Sequence, residues 1–213
     1  MDIGILGTGK MGGTLGRLLA AKGHKVALGS RDHKTAGKDF KNIPNCEVVS
    51  QQDAVNFGKI VILATPWSVT EELVSSLSGW DGKFVVDITN PLSPDISFLM
   101  VGGNTSAAER ISERVPTAFV VKAFNSINAA NLGQPAFSSE TAQLFYCGNN
   151  EDARNTVAEL IDGLGFVPIC CGELSNARYL EAMAMLWIQM AFVGEYGMNW
   201  SFKVIRRAEG ASV

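Results

Sequence analysis

Apolar residues fall along this chain in short solid runs, each followed by a stretch where they recur every three or four positions. Residues 3–6 form the first run; Met11, Leu15, Leu18 and Leu19 then lie at helical spacing up to Ala21, and residues 25–28 form the second run. A strand buried on both faces reads as a solid apolar run, whereas an amphipathic helix reads as a stripe of period 3.6. The opening segment therefore predicts a β-α-β unit of about 30 residues, the size a right-handed crossover needs. Further strands are predicted at 47–50, 59–64, 83–88, 118–123, 143–147 and 166–170, and helices at 51–57, 69–77, 107–114 and 152–164. Pro66 interrupts the pattern, and Asn90-Pro91 marks an exit turn. Residues 175–207, rich in Met, Trp and Leu, predict a helical extension with Leu180, Met183, Leu186, Trp187, Met190 and Val193 on one face. Strands alternating with helices predict an α/β fold with a doubly wound, mostly parallel sheet and a short helical C-terminal extension.

Composition narrows the partners. The 213 residues suit one domain with an appendage, and a net charge of -3 without a basic run argues against nucleic acid. The longest apolar stretch, 182–194, is bracketed by Glu181 and Glu195 and is shorter than the ~20 residues of a membrane span, so a buried helix and no membrane are expected. Met1-Asp2 leads straight into a strand with no basic leader, which predicts a cytoplasmic protein. The four cysteines show no C-x-x-C spacing and read as reduced thiols. No metal site is expected.

The first turn carries the chemistry. Gly7-Thr8-Gly9-Lys10-Met11-Gly12 sits between a strand and a helix, the context that turns a G-x-G-x-x-G string into a dinucleotide-binding fingerprint. Gly7 permits the tight turn, Gly9 lets the backbone approach a pyrophosphate, and Gly12 lets helix and strand pack closely. The helix N-terminus offers N–H groups and partial positive charge to the phosphates. Where an NAD site carries a ribose-binding acid at the end of the second strand, this chain reads Gly29-Ser30-Arg31-Asp32-His33-Lys34. A hydroxyl, a guanidinium and the nearby Lys34 suit a 2′-phosphate, so NADP(H) is the expected cofactor; an inward-facing Asp32 would favour NAD instead. The nicotinamide half is expected over the later strand ends, Ala64-Thr65-Pro66, Thr89-Asn90-Pro91 and Ala123-Phe124-Asn125. Residues 1–174 are thus expected to be the NADP-binding Rossmann part, and 175–213 its helical extension.

The glycine motif, Gly29-Ser30-Arg31, Asn90-Pro91, Val121-Lys122-Ala123-Phe124-Asn125 and Cys147-Gly148-Asn149 together resemble the deazaflavin-coenzyme-dependent NADP reductase family. They also resemble the cytosolic NADPH-binding domain of the six-transmembrane epithelial antigen metalloreductases. The resemblance covers about residues 2 to 175. It implies an NADP(H)-dependent oxidoreductase that moves a hydride to or from a flavin or deazaflavin stacked on the nicotinamide. Carried over, Thr8, Gly9, Lys10 and Met11 line the pyrophosphate, and Ser30 and Arg31, with Lys34, hold the 2′-phosphate. Ala64, Thr65, Pro66, Asn90, Ala123 and Ala129 flank the nicotinamide end. The chain departs at Ala130, where the metalloreductases have tryptophan, and segment 122–128 differs in composition from the deazaflavin reductases. Transmembrane iron reduction is not expected of it.

His24 and His33 are the only histidines, the first in the turn before the second strand and the second on the adenine side. Neither is placed for acid–base work, so no catalytic side chain is expected. Carbonyl-type reductions usually need a proton shuttle, whereas hydride exchange between stacked rings needs alignment. This favours a flavin-type acceptor. Reduction of a small imine or carbonyl, in the manner of pyrroline-5-carboxylate reductase, and a non-enzymatic NADPH-binding module remain the alternatives. The C-terminal helix is read as core or subunit contact, or as a Met and Trp wall for an aromatic cofactor, and a homodimer is expected.

Overall fold

Strands β1 (Asp2–Leu6), β2 (Lys25–Gly29), β3 (Cys46–Val49), β4 (Ile60–Leu63), β5 (Phe84–Asp87) and β6 (Phe119–Lys122) pair in parallel in the order β3-β2-β1-β4-β5-β6. This computed structural model describes residues 1–207. The chain reverses direction across the sheet on either side of β1, the topology of a doubly wound dinucleotide-binding fold. Crossovers run through α1 (Lys10–Ala21), α3 (Gln51–Phe57), α4 (Trp67–Ser76) and α5 (Ala107–Arg114), with a short α2 (His33–Ala36) after β2. Beyond β6 comes a two-strand hairpin, β7 (Ala136–Phe137) with β8 (Glu140–Thr141), which the sequence pattern did not announce. Strand β9 (Gln143–Gly148) then joins β6 antiparallel, α6 (Glu151–Gly163) crosses over, and β10 (Val167–Cys170) pairs with β9 in parallel. Helix α7 (Ala177–Phe192) closes the regular structure. The expected mostly parallel Rossmann sheet is therefore present.

The solid apolar runs have a simple cause. In β4, Ile60 and Ile62 enter the core shared with Leu15 and Leu19 of α1, while Val61 and Leu63 enter the core shared with Val74 of α4 and Ile111 of α5. Both faces are covered, so no position is left for a polar residue. Each such side chain contributes about 1.5–3 kcal/mol of burial.

The C-terminal segment corrects the sequence reading. The helix stops at Phe192, where residues 175–207 were expected to continue it. Leu186 and Val193, expected on the apolar face, are 52% and 73% exposed; Leu180, Ala184, Trp187 and Ala191 form the buried line. Gly194 follows, and Glu195 and Gly197 take left-handed backbone angles (φ 61° and 66°) that an α-helix cannot absorb. The chain doubles back so that Trp200 stacks on Trp187 (centroids 5.6 Å apart) and its carbonyl accepts the Trp187 indole N–H at 3.2 Å. The aromatic-rich tail is an irregular strap over α7, and residues 208–213 of the expected extension lie outside the described residues. Among the described residues no helix is long and apolar enough to cross a membrane.

Candidate functional site

The turn from β1 into α1 needs its glycines for three different reasons. Gly7 has φ +121°, and a Cβ there would lie 2.5 Å from the Ala64 carbonyl oxygen. At Gly12 a Cβ would stand 2.1 Å from the Gly7 carbonyl oxygen, so helix and turn can touch only without a side chain. Gly9 differs: a Cβ there would meet nothing within 4 Å. The space in front of Gly9 is open, and Gly9 is the N-cap of α1, with no side-chain cap and no acid in the first turn. The first N–H groups of α1 thus face an open volume with the helix's partial positive charge behind them.

At the end of β2 the Ser30 N–H donates to the Val49 carbonyl (3.0 Å), which fixes the turn. Asp32 does not face inward. It caps α2 by accepting the Thr35 N–H at 3.1 Å, and the hydrogen bonds from Thr35 hold its carboxyl below the usual carboxylate range. Arg31 and Lys34 are exposed and form no ion pair among the described residues. At the end of β4, Ala64 packs under the glycine turn. The Thr65 hydroxyl lies 2.9 Å from that of Thr70, and exposed Pro66 occupies the N-cap of α4.

Beneath the ends of β5 and β6 lies a group of charges that sequence reasoning missed. Lys122 is fully buried, with its Nζ 2.8 Å from Asp87 Oδ2, 2.9 Å from Glu181 Oε1 and 2.5 Å from the Thr89 carbonyl to which it donates. Burial pulls the Lys122 ammonium down, but the Asp87 and Glu181 carboxylates outweigh it and hold its pKa above the ordinary lysine value. Glu181 also accepts the Ala107 and Ala108 N–H groups (3.0 and 3.3 Å), so α7 caps the start of α5. Burial, with Asp87 nearby, pushes the Glu181 carboxyl up despite Lys122. A charge inside a solid apolar strand was the available signal, and Glu181 at the head of an apolar helix was its partner.

Directly after β6, Phe124 adopts φ 55°, a conformation bulky residues avoid. This kink turns Asn125 toward Asn90: Asn90 Nδ2 donates to the Asn125 carbonyl (2.7 Å), and Asn125 Nδ2 donates to Asn90 Oδ1 (3.1 Å) and to the Leu180 carbonyl (2.9 Å). Asn125 Oδ1 and Thr89 Oγ1 are buried without a partner.

These elements enclose a cavity of about 880 Å³. Of the residues read from the sequence, Thr8, Gly9, Lys10, Met11, Asn90, Asn125 and Ala129 line it. Gly7 and Gly12 shape the loop beneath it. Ser30, Arg31 and Lys34 stand apart at the end of β2, and Ala64, Thr65 and Pro66 at the end of β4. Ala123 has no exposed surface and sits below the kink. The lining also includes Ala130, where the chain departs from the metalloreductases, and Thr14 and Arg17 of α1, Ser126 to Asn128 of the loop, and Ile188 and Phe192 of α7, which sequence reasoning did not single out. Of the apolar face read from the sequence only Trp187 lines the cavity, joined by Met198 of the tail; Met183 and Met190 do not line it. No His, Asp or Glu is among the lining residues. His24 lies just before β2, at the far end from Ser30, with Nδ1 3.3 Å from the N-terminal amine, and His33 is exposed on α2. All four cysteines are free thiols; burial pushes the Cys147 thiol up to about 12.

Residues 2–91 match the family model described as NADP oxidoreductase, coenzyme F420-dependent. The chain is 31% identical over 183 residues to the metalloreductase STEAP3 of Rattus norvegicus, covering 86% of this chain and 36% of that protein. The chain therefore spans about a third of the length of the metalloreductases it matches. It is 28% identical over 211 residues to the F420-dependent NADP reductase of Methanothermobacter marburgensis, covering 89% of this chain and 92% of that protein. Among solved structures, a candidate F420-dependent NADP-reductase from Arthrobacter sp. superposes with a TM-score of 0.89 at 29% identity, covering 97% of this chain and all of that one. The resemblance read from the sequence is borne out by these matches, and the relatives are oxidoreductases by name.

Proposed function

We propose that this chain, a relative of coenzyme F420-dependent NADP reductases, binds NADP(H) and serves hydride transfer between it and a planar flavin- or deazaflavin-type acceptor. The observation that carries this reading is the cavity itself, which joins the open glycine turn to an aromatic wall and has no histidine or carboxylate in its lining. The residues fit the dinucleotide. Gly7, Gly9 and Gly12 give it close approach, and the first turn of α1 with Thr8, Lys10 and Met11 takes the pyrophosphate. Ser30, Arg31 and Lys34 hold the 2′-phosphate, with Asp32 withdrawn into its cap. Asn90, Asn125 and Ala129 flank the nicotinamide end, backed by Ala64, Thr65, Pro66 and Ala123.

When bound, NADPH supplies the hydride. The protein's part is positioning and exclusion of water. Locked together, the Asn90 and Asn125 amides present a fixed polar edge at the ends of β5 and β6. Trp187, backed by Trp200, lines the cavity with Ile188 and Phe192 as its apolar side, against which a second ring would lie. Holding two rings at roughly 3–3.5 Å supplies most of what hydride transfer requires. The described part of the extension, residues 175–207, accordingly acts as part of the site and not as a separate unit, with 1–174 forming the dinucleotide-binding part.

The test is rapid-mixing, single-turnover oxidation of NADPH by flavins and deazaflavins beside cyclic imines and carbonyl compounds. Ring acceptors should be reduced, and a His24→Gln, His33→Gln double variant should retain the rate. Reduction of only an imine or carbonyl would replace this reading with the pyrroline-5-carboxylate reductase-like one, and turnover with none would leave an NADPH-binding module.

A further inference from the structure

We infer that the acceptor is held through an anionic group, a phosphate on its side chain, by Arg17 with the Thr14 hydroxyl beside it; the inference rests on the proposed flavin-type acceptor. Lys10, Thr14 and Arg17 lie at i, i+4 and i+7 of α1 and so share one face of the helix. All three line the cavity. At 1.5 Å of rise per residue, Arg17 sits about 10 Å along the helix axis from Lys10. Lys10 belongs to the glycine turn and its phosphates, whereas Arg17 lies almost two turns further on, where the dinucleotide loop does not reach.

Arg17 is also prepared for a ligand. Its guanidinium lies over the Phe40 ring, 4.2 Å from the centroid, and donates to the Asp39 carbonyl at 3.5 Å. Stacking fixes the plane of the fork without neutralising it. Among the described residues Arg17 has no carboxylate within 4.0 Å. The cavity lining therefore carries two cations and no anion, with the aromatic wall of Trp187 and Phe192 as its apolar part. A ligand complementary to this layout has a flat ring for the wall and a flexible chain ending in a negative charge over α1. Phosphate suits the guanidinium fork, which bonds it through two N–H groups at once, and the Thr14 hydroxyl can donate a third bond.

The experiment is equilibrium binding of two matched pairs to the NADP+-saturated protein: flavin mononucleotide against riboflavin, and 5-deazaflavin mononucleotide against 5-deazariboflavin. Ring fluorescence and Trp emission report the affinity. The phosphorylated member of a pair should bind about 10- to 100-fold more tightly, and in Arg17→Gln that advantage should shrink to about threefold or less. Arg17→Lys, which keeps the charge but loses the fork, should fall between. Thermal melting checks that each variant is folded, and Arg17→Lys carries the test if Arg17→Gln is not. Equal affinity within both pairs, an advantage that survives Arg17→Gln, or an equal loss of NADP+ affinity in that variant would each overturn the assignment. Rings that bind with no phosphate preference overturn the role of Arg17 alone, while failure of all four to bind removes the ring acceptor itself.

Discussion

Replacing Lys122 by methionine changes little in size and much in charge. Asp87 and Glu181, 0% and 1% exposed, would keep some partners: Asp87 Oδ1 still accepts the Thr89 N–H at 2.9 Å, and Glu181 still accepts two amides of α5. Asp87 Oδ2 and the Thr89 carbonyl would lose the donor they share. Breaking a buried ion pair by removing one member costs about 3–5 kcal/mol. For a domain of this size 1 kcal/mol moves the melting point by about 2–4 °C, so a fall of about 6–20 °C is expected. The pH dependence has a definite sign. Raised above the ordinary value of 10.5 in the native state, Lys122 contributes stability that is fully present below that value and is lost as pH rises through its folded pKa. Glu181 is a carboxyl raised above its ordinary 4.5, so the native state holds its proton longer than the unfolded chain, and stability declines as pH rises from 4.5 through the folded pKa. Without Lys122 that decline should steepen, making the deficit of Lys122→Met larger near pH 8 than near pH 5. Adding Glu181→Gln should return part of the loss, since it removes one of the stranded charges. Urea unfolding of wild type and both variants at the two pH values is the assay. A Lys122→Met deficit below about 1 kcal/mol, equal at both, would refute the reasoning.

Three further outcomes are expected. Gly9→Val should fold within about 1 kcal/mol of wild type yet show no heat of NADPH binding on titration, because its side chain fills the open space before α1, whereas Gly12→Val should lose about 1–3 kcal/mol of stability through its clash with the Gly7 carbonyl. Arg31→Ala should weaken NADPH by about 10- to 100-fold and leave NADH nearly unchanged, as dissociation constants for both cofactors would show. Glu109, held below the usual carboxylate range first by its hydrogen bonds from Arg178 (2.9 and 2.5 Å), contributes stability above its ordinary 4.5 that is lost as pH falls through its folded pKa. Glu109→Gln should therefore flatten the melting-temperature profile on its acid side, with a small amplitude because the pair is partly exposed.

The first half of the molecule was legible because local and global signals agree there. The run 3–6, the glycine turn and the stripe Met11, Leu15, Leu18, Leu19 state strand, turn and helix independently, and the sheet confirms all three. In β4 the solid run was readable because both faces are covered. What escaped depends on partners distant in sequence. Nothing near Lys122 announces that Glu181 meets it, and nothing in the run Gln143 to Cys147 states that β9 enters antiparallel to β6. The tail misled because Trp200 and Phe202 are apolar enough to continue a helical stripe, yet after left-handed turns at Glu195 and Gly197 Trp200 packs back on Trp187 and Phe202 sits edge-on to Trp200. Arg17 was overlooked for a similar reason: on a helix surface it reads as a solvated charge until Phe40, from another connection, is found beneath it.

The carboxylate of Glu181 imposes an order of events on the growing polypeptide. It lies 74 positions after Ala107, the amide it satisfies, so α5 and the strand carrying Lys122 are synthesised well before their last partner exists. Until α7 arrives, Lys122 has Asp87 alone for a counter-charge, and the first amides of α5 must be served by water. The wall that faces the glycine turn is carried by the same helix and swings into place with it. A nascent chain arrested before residue 181 would expose a half-neutralised polar seam between sheet and helix, a natural point of recognition for chaperones and proteases, and completion of the cavity and sealing of that seam become one step.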